Sequence, residues 1–134
     1  MKSNKIINSC SIYIPISLGE LIDKITILRI KKKYIQENKL ANIKKELSSL
    51  EEILKEKNLD INSNLINQLE EVNFSLWKIE DQIRFKESRK EFDSEFIHLA
   101  RSVYIENDRR AAIKYEINST YNSDLIEEKS YQKY

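Results

Sequence analysis

"LANIKKELSSLEEIL", residues 40–54, is the stretch that decides the fold. Its apolar residues Leu40, Ile43, Leu47, Leu50 and Leu54 recur at alternating steps of three and four. That spacing draws one stripe along a helix and suits packing along a partner helix. A half-buried strand would alternate every second residue, and this stretch does not. A second stripe follows at Leu65, Leu69, Val72, Leu76, Ile79 and Ile83. Between them "KNLDINSN" (57–64) is rich in Asn, Asp and Ser and reads as a turn. The two stripes predict an antiparallel αα-hairpin over 40–83. Phe74 and Trp77 lie off the second stripe, so that helix has another contact. Trp77 is read as a core residue against the first helix rather than as a stacking platform.

Upstream, "SIYIPIS" (11–17) alternates Ile12, Ile14 and Ile16, which predicts an extended segment or short edge strand. Pro15 excludes a central strand there. Ser17 followed by Glu20 makes a capping box, with Ile16 and Leu21 as the hydrophobic staple, so a helix starts at Leu18. That helix is apolar on two sides, Leu18, Leu21, Ile22, Ile25 and Leu28 on one and Ile27, Ile30 and Tyr34 on the other. Two apolar faces predict a central helix. Downstream, "SRKEFDSEF" (88–96) marks a break, with Asp93 as N-cap and Phe92 and Ile97 as staple. The last long helix carries Phe96, Ala100, Val103 and Tyr104, then bends at Asn107 or continues to Asn118. Beyond it, "STYNSDLIEEKSYQKY" (119–134) lacks helical periodicity, and Asn122 suits a left-handed turn position. The segment either frays or docks back through Leu125, Ile126 and Tyr131.

These elements give an all-α, single-domain bundle of four to five helices. It has a central αα-hairpin and a short extended N-terminal arm. The flexible arm is 1–13 and the helical domain 14–134. Composition agrees. The chain has 134 residues, 34 % charged, with one Gly (Gly19) and one Pro (Pro15). Tight β-turns want both residue types, so an all-β fold is excluded. Net charge is +1, split as +5 over 1–57 and −4 over 58–134. A near-neutral total selects neither nucleic acid nor an anionic membrane, and the run Lys31-Lys32-Lys33 is read as a solvated face. No apolar run spans a membrane. A lone cysteine, Cys10, fits a reducing cytoplasm.

The candidate site lies in "NDRRAAIKYEIN" (107–118). At 100° per residue, Asn107, Arg110, Lys114 and Asn118 share one side of the helix. Arg and Lys hold phosphate or carboxylate, and amides bind sugar hydroxyls. Carried back, the same direction runs through Phe96, Ala100 and Val103, so this polar patch faces inward and needs partners. Asp23, Glu80 and Glu127 are the carboxylates available to satisfy it. Glu20, Asp23 and Lys24 form a second constellation that meets Arg110 and Lys114 either as an ion-pair network or as a polar pocket. The carboxylates Glu80, Asp81, Glu87, Glu91 and Glu95 are a third, suited to Mg²⁺ if they converge. The interleaved Arg84, Lys86, Arg89 and Lys90 argue instead for surface ion pairs. His98 is the only histidine, and no Gly-rich phosphate loop or nucleophile elbow is present. No cofactor is expected.

"PISLGELIDKITILRIK", "LWKIEDQIR", "FIHLARSVYIENDRRAAIKYEIN" and "SDLIEEKSY" together resemble domain-of-unknown-function family 6165, small bacterial and phage proteins. The likeness covers roughly residues 14–134. It implies no activity, cofactor or catalytic residue. It implies an association with surface polysaccharide and lipopolysaccharide synthesis. Three readings follow. The first is a non-catalytic binding or adaptor module whose ligand-binding residues are Asn107, Arg110, Lys114, Asn118, Glu20, Asp23 and Lys24, taking an anionic or sugar-bearing ligand. The second is a Mg-dependent all-α enzyme acting on a phosphorylated or nucleotide substrate. The third is a structural helical protein that forms a homodimer along the exposed side of the 40–83 hairpin.

Overall fold

The computed structural model describes residues 9–134. The first eight residues of the predicted arm lie outside it. Four helices follow in order: α1 (Leu18–Tyr34), α2 (Glu37–Glu56), α3 (Ser63–Ser88) and α4 (Ser94–Thr120). The described residues contain no strand. Among them, no helix is long and apolar enough to cross a membrane. The isoleucines of "SIYIPI" pair with no neighbouring strand, and Ile12, Tyr13 and Ile14 are exposed.

Local chemistry sets each boundary. Ser17 Oγ accepts from Glu20 N at 3.2 Å and starts α1. Asp93 Oδ1 accepts from Phe96 N at 3.0 Å and starts α4. The Phe92 and Ile97 side chains both stay more than half exposed, and the Phe92 ring meets Phe96 edge-on at 5.2 Å. Three helices end on a residue in the left-handed region: Asn58 (φ 55°), Lys90 (φ 54°) and Asn122 (φ 53°). At each, the next amide reaches back to a carbonyl five residues earlier: Leu59 N to Leu54 O, Glu91 N to Lys86 O and Ser123 N to Asn118 O. This is the closure glycine usually makes, here made by Asn twice and Lys once. Asn122 takes the turn role expected of it.

α1 is central. It packs on α2, α3 and α4, while α3 and α4 pack along each other. One apolar cluster joins Ile22 to Leu65, Leu69 and Val72 of α3 and to Ile113 and Ile117 of α4. The other joins Leu21, Ile25 and Leu28 to Ile43 and Leu47 of α2. Leu18 and Leu54 border both clusters. Both clusters draw on the Leu18–Leu28 side of α1, and Ile27, Ile30 and Tyr34 of the other side belong to neither.

The hairpin expected over 40–83 is where reading and structure part. No Cα of α2 comes within 8 Å of one of α3. α2 lays its stripe on α1, and α3 divides its own between α1 and α4. The central αα-hairpin is α3–α4, joined by residues 89–93. A stripe reports that a helix needs a partner, not which one. The doubly apolar α1 competes for both stripes and wins.

α4 runs unbroken through Asn107 to Thr120. Its buried apolar residues are Leu99, Ile113 and Ile117. Phe96, Ala100 and Val103 are half-buried and Asn107 is exposed, so the inward direction lies to one side of the stripe proposed from sequence. Trp77 is half-buried, its ring 6.2 Å from Tyr34 of α1.

Candidate functional site

α1 runs antiparallel to α4, and a ladder of polar contacts climbs between them. Leu18 N donates to Ser123 Oγ at 3.0 Å and Gly19 N to Asn118 Oδ1 at 2.7 Å. With Glu20 N on Ser17 Oγ, every free amide in the first turn of α1 has a protein acceptor. That end of the helix has no spare donor for an external anion. Gly19 is required by the closeness of the crossing. A Cβ there would stand 2.6 Å from the Lys114 carbonyl oxygen and 3.0 Å from Asn118 Oδ1. Asn118 is 1 % exposed, and its Nδ2 has no acceptor among the described residues.

One turn along, Lys114 donates to Glu20 Oε2 at 2.7 Å and to Glu127 Oε2 at 3.2 Å. Its side chain is 8 % exposed, so the ammonium has left bulk water and two carboxylates replace it. Lys24 completes the edge, 3.7 Å from Glu20 Oε1 and half exposed. One turn further, Asp23 is fully buried and accepts from Arg110 through Nε at 2.9 Å and through Nη2. This two-point pairing fixes the guanidinium plane. Asn73 of α3 donates Nδ2 to Asp23 Oδ1 and to Thr26 Oγ1, both at 2.9 Å. The Thr26 hydroxyl donates to the Asp23 carbonyl at 2.8 Å. The Asp23 carboxylate holds the Arg110 pKa above its ordinary value.

All seven residues singled out from sequence meet along this ladder. Asn107 is the outermost, its Oδ1 3.5 Å from Arg110 Nη1. Of the carboxylates expected to satisfy the cations, Asp23 and Glu127 do so and Glu80 does not. Glu80 pairs with Arg84 on the surface of α3 at 3.2 Å. Sequence reading missed Thr26 and Asn73. A signal for Asn73 existed: it is a polar residue beside Val72 inside an otherwise apolar stripe.

The segment after α4 returns to it through Glu127 and Tyr134, while Leu125, Ile126 and Tyr131, the residues expected to dock it, stay exposed. The Lys129 ammonium meets Glu127 Oε1 at 2.7 Å, the Tyr134 hydroxyl donates to the Asp108 carboxylate, and the Tyr134 ring stands edge-on to Tyr104 at 5.0 Å. Lys129 first, and then Lys114, hold the Glu127 carboxyl below the ordinary range. The segment and α4 enclose an open groove of about 680 Å³, lined by Tyr104, Asn107, Arg110, Lys114, Lys129 and Tyr131 among others.

All but Asp81 of the carboxylates considered for Mg²⁺ pair with side-chain cations. Glu91, Asp93 and Glu95 converge on the ammonium of Lys86, at 3.3, 2.9 and 3.1 Å, and raise its pKa. The cation at that point is a side chain. Among the described residues, no group of three or more His, Cys, Asp or Glu side chains is arranged to hold a metal.

A family model described as a family of unknown function (DUF6165) matches residues 12–134. No curated protein and no solved structure matches the chain.

Proposed function

For a chain that belongs to the DUF6165 family, which brings no activity with it, we propose a non-catalytic binding or adaptor role, with the groove on α4 as its ligand site. The ligand is an anionic or sugar-bearing small molecule. The process served is surface-polysaccharide synthesis, the association that the family resemblance implies. One observation carries the reading. Asp23 grips Arg110 by Nε and Nη2, which pins the guanidinium in the groove wall with its Nη1 edge turned toward Asn107. A donor set in place beforehand loses little side-chain entropy when a ligand arrives. Tyr104 offers flat, amphipathic surface beside it, which suits a sugar ring.

Arg110 supports the bundle as well as the groove, so it is a poor probe. Asn107 and Tyr104 line the groove from α4 and belong to neither apolar cluster. A thermal-shift screen with inorganic phosphate, UDP-glucose and related nucleotide sugars is expected to find a compound that raises Tm. Saturating ligand at about a hundred times Kd stabilises by about 2.7 kcal/mol. Asn107→Ala and Tyr104→Ala should reduce that rise while leaving the unliganded Tm near the parent's. A rise that survives both substitutions places the ligand elsewhere, and no rise with any compound removes the reading.

Self-association is a second reading with its own observation. Phe85, Phe92 and Ile97 are each more than half exposed near the 89–93 turn. Exposed apolar groups clustered at one end favour contact with another apolar surface. The patch lies at the α3–α4 end rather than along 40–83. Sedimentation equilibrium of the parent and of Phe85→Ser/Phe92→Ser decides it, a monomer in both cases being the negative result.

A further inference from the structure

We propose that Glu127 is a built-in occupant of an oxyanion site on α4, and that a solute phosphate or carboxylate binds by displacing it. The inference rests on the groove reading above and adds how the groove is gated.

The two carboxylates on Lys114 are unlike. Glu20 is fixed on α1 and lies 2.7 Å from the ammonium. Glu127 comes from a segment with no regular structure and lies at 3.2 Å. Glu20 also meets Lys24, at 3.7 Å, so Lys24, Lys114 and Glu20 together keep one positive charge. Glu127 is a second anion on Lys114, and it brings a compensating cation, Lys129, two residues on. An ammonium has three donors, so Lys114 can serve an incoming oxygen without releasing Glu20.

The position is better suited to an external oxyanion than to Glu127. Arg110 stands one turn from Lys114 on the same side of α4, and both line the groove. Two cations thus border one opening, yet Glu127 bonds only Lys114 of the two. A phosphate has enough oxygens to accept from Lys114 and from the Nη1 edge of Arg110 together. A tetrahedral oxyanion on an Arg–Lys pair gains charge-assisted bonds that the single contact of Glu127 lacks. When the ligand takes that point, Glu127 and Lys129 leave as a neutral pair, so displacement strands no charge. The Tyr134–Asp108 and Tyr134–Tyr104 contacts then set how firmly the segment closes.

The test is calorimetric titration of the full chain and of Glu127→Gln with UDP-glucose, a phosphate source, and separately with glucuronate, a carboxylate source. Hydrogen exchange of residues 125–133 is followed in the parent. Glu127→Gln should bind its better ligand about tenfold tighter than the parent, since removing an occupant that holds the site closed nine-tenths of the time raises apparent affinity by that factor. Binding to Glu127→Gln alone supports the proposal equally. Exchange in 125–133 should quicken when the parent is liganded. Equal or weaker binding by Glu127→Gln, or slower exchange on ligand addition, overturns displacement but leaves the groove as a site. No binding of either compound to either protein overturns both. Glucuronate binding as tightly as UDP-glucose identifies a carboxylate site rather than a phosphate site.

Discussion

Gly19 is the residue on which the α1–α4 crossing turns. Alanine is the better helix former by about 1 kcal/mol, so propensity alone makes Gly19→Ala stabilising. Position reverses the sign. The new Cβ would sit 2.6 Å from a backbone carbonyl oxygen, which cannot swing away as a side-chain end can. The helices must separate, and overpacking of this kind costs about 1–3 kcal/mol. Urea denaturation should show Gly19→Ala less stable than the parent, and a neutral or stabilising result would mean the crossing is looser than described. Lys90 makes the opposite case. It holds a left-handed φ of 54° at the end of α3, where glycine carries no Cβ penalty. Its ion pair with Glu87 spans 3.5 Å between exposed side chains and contributes little. Lys90→Gly should therefore stabilise, by up to about 1 kcal/mol. A lower denaturation midpoint would contradict this.

Among elements, the α1–α4 ladder and the α3–α4 turn can each be loosened separately. Arg110→Met leaves the buried Asp23 carboxylate with only Asn73, and breaking such a pair costs about 3–5 kcal/mol. Asp23→Asn in the same chain removes the charge but keeps an acceptor for Asn73, so the double variant should regain at least about 1 kcal/mol. Strict additivity of the two single changes in a denaturant cycle would deny the coupling. The turn titrates. Lys86, and to a lesser extent the Phe96 amide, hold the Asp93 carboxyl below its ordinary range. A lowered folded-state pKa means the stabilisation is present above the unfolded value, about 3.9, and is lost as pH falls through the folded value. Lys86 is raised, so its share is present below about 10.4 and is lost as pH rises through its folded value. Between those limits the turn should hold. Protection factors for amide exchange in residues 86–96 should fall below about pH 4, before those of the core. A uniform acid response along the chain would argue against a local clamp. The elements themselves were legible because their signals are local. Ser17, Asp93 and Asn122 announce caps and a turn by type and position alone. The pairing of α2 was not legible, since a stripe of Leu40, Ile43, Leu47, Leu50 and Leu54 suits any apolar partner. The Arg110–Asp23 contact lay between, because helical spacing gave the direction of Arg110 but not which carboxylate would meet it. Lys86 was legible only as one of several interleaved cations, because its three carboxylates converge through the chain reversal at 89–93.

At the scale of the whole molecule, α1 touches every other helix, and its partners are spread unevenly along the chain. Its apolar contacts with α2 are near in sequence. Its polar contacts with Arg110, Lys114, Asn118 and Ser123 span 87 to 105 residues. During synthesis α1 and α2 leave the ribosome together, and α4 is completed after a delay of about 3–13 s. In that interval Asp23 and Glu20 can stay hydrated only if the face of α1 that carries them remains open. A nascent chain stalled before residue 107 should thus hold an α1–α2 pair with one unsealed side. Force measured on stalled chains of increasing length should rise in two steps, the larger arriving once residues 110–118 have emerged. A single early step would mean that α1 does not wait for α4. This central helix, made first, is the one completed last.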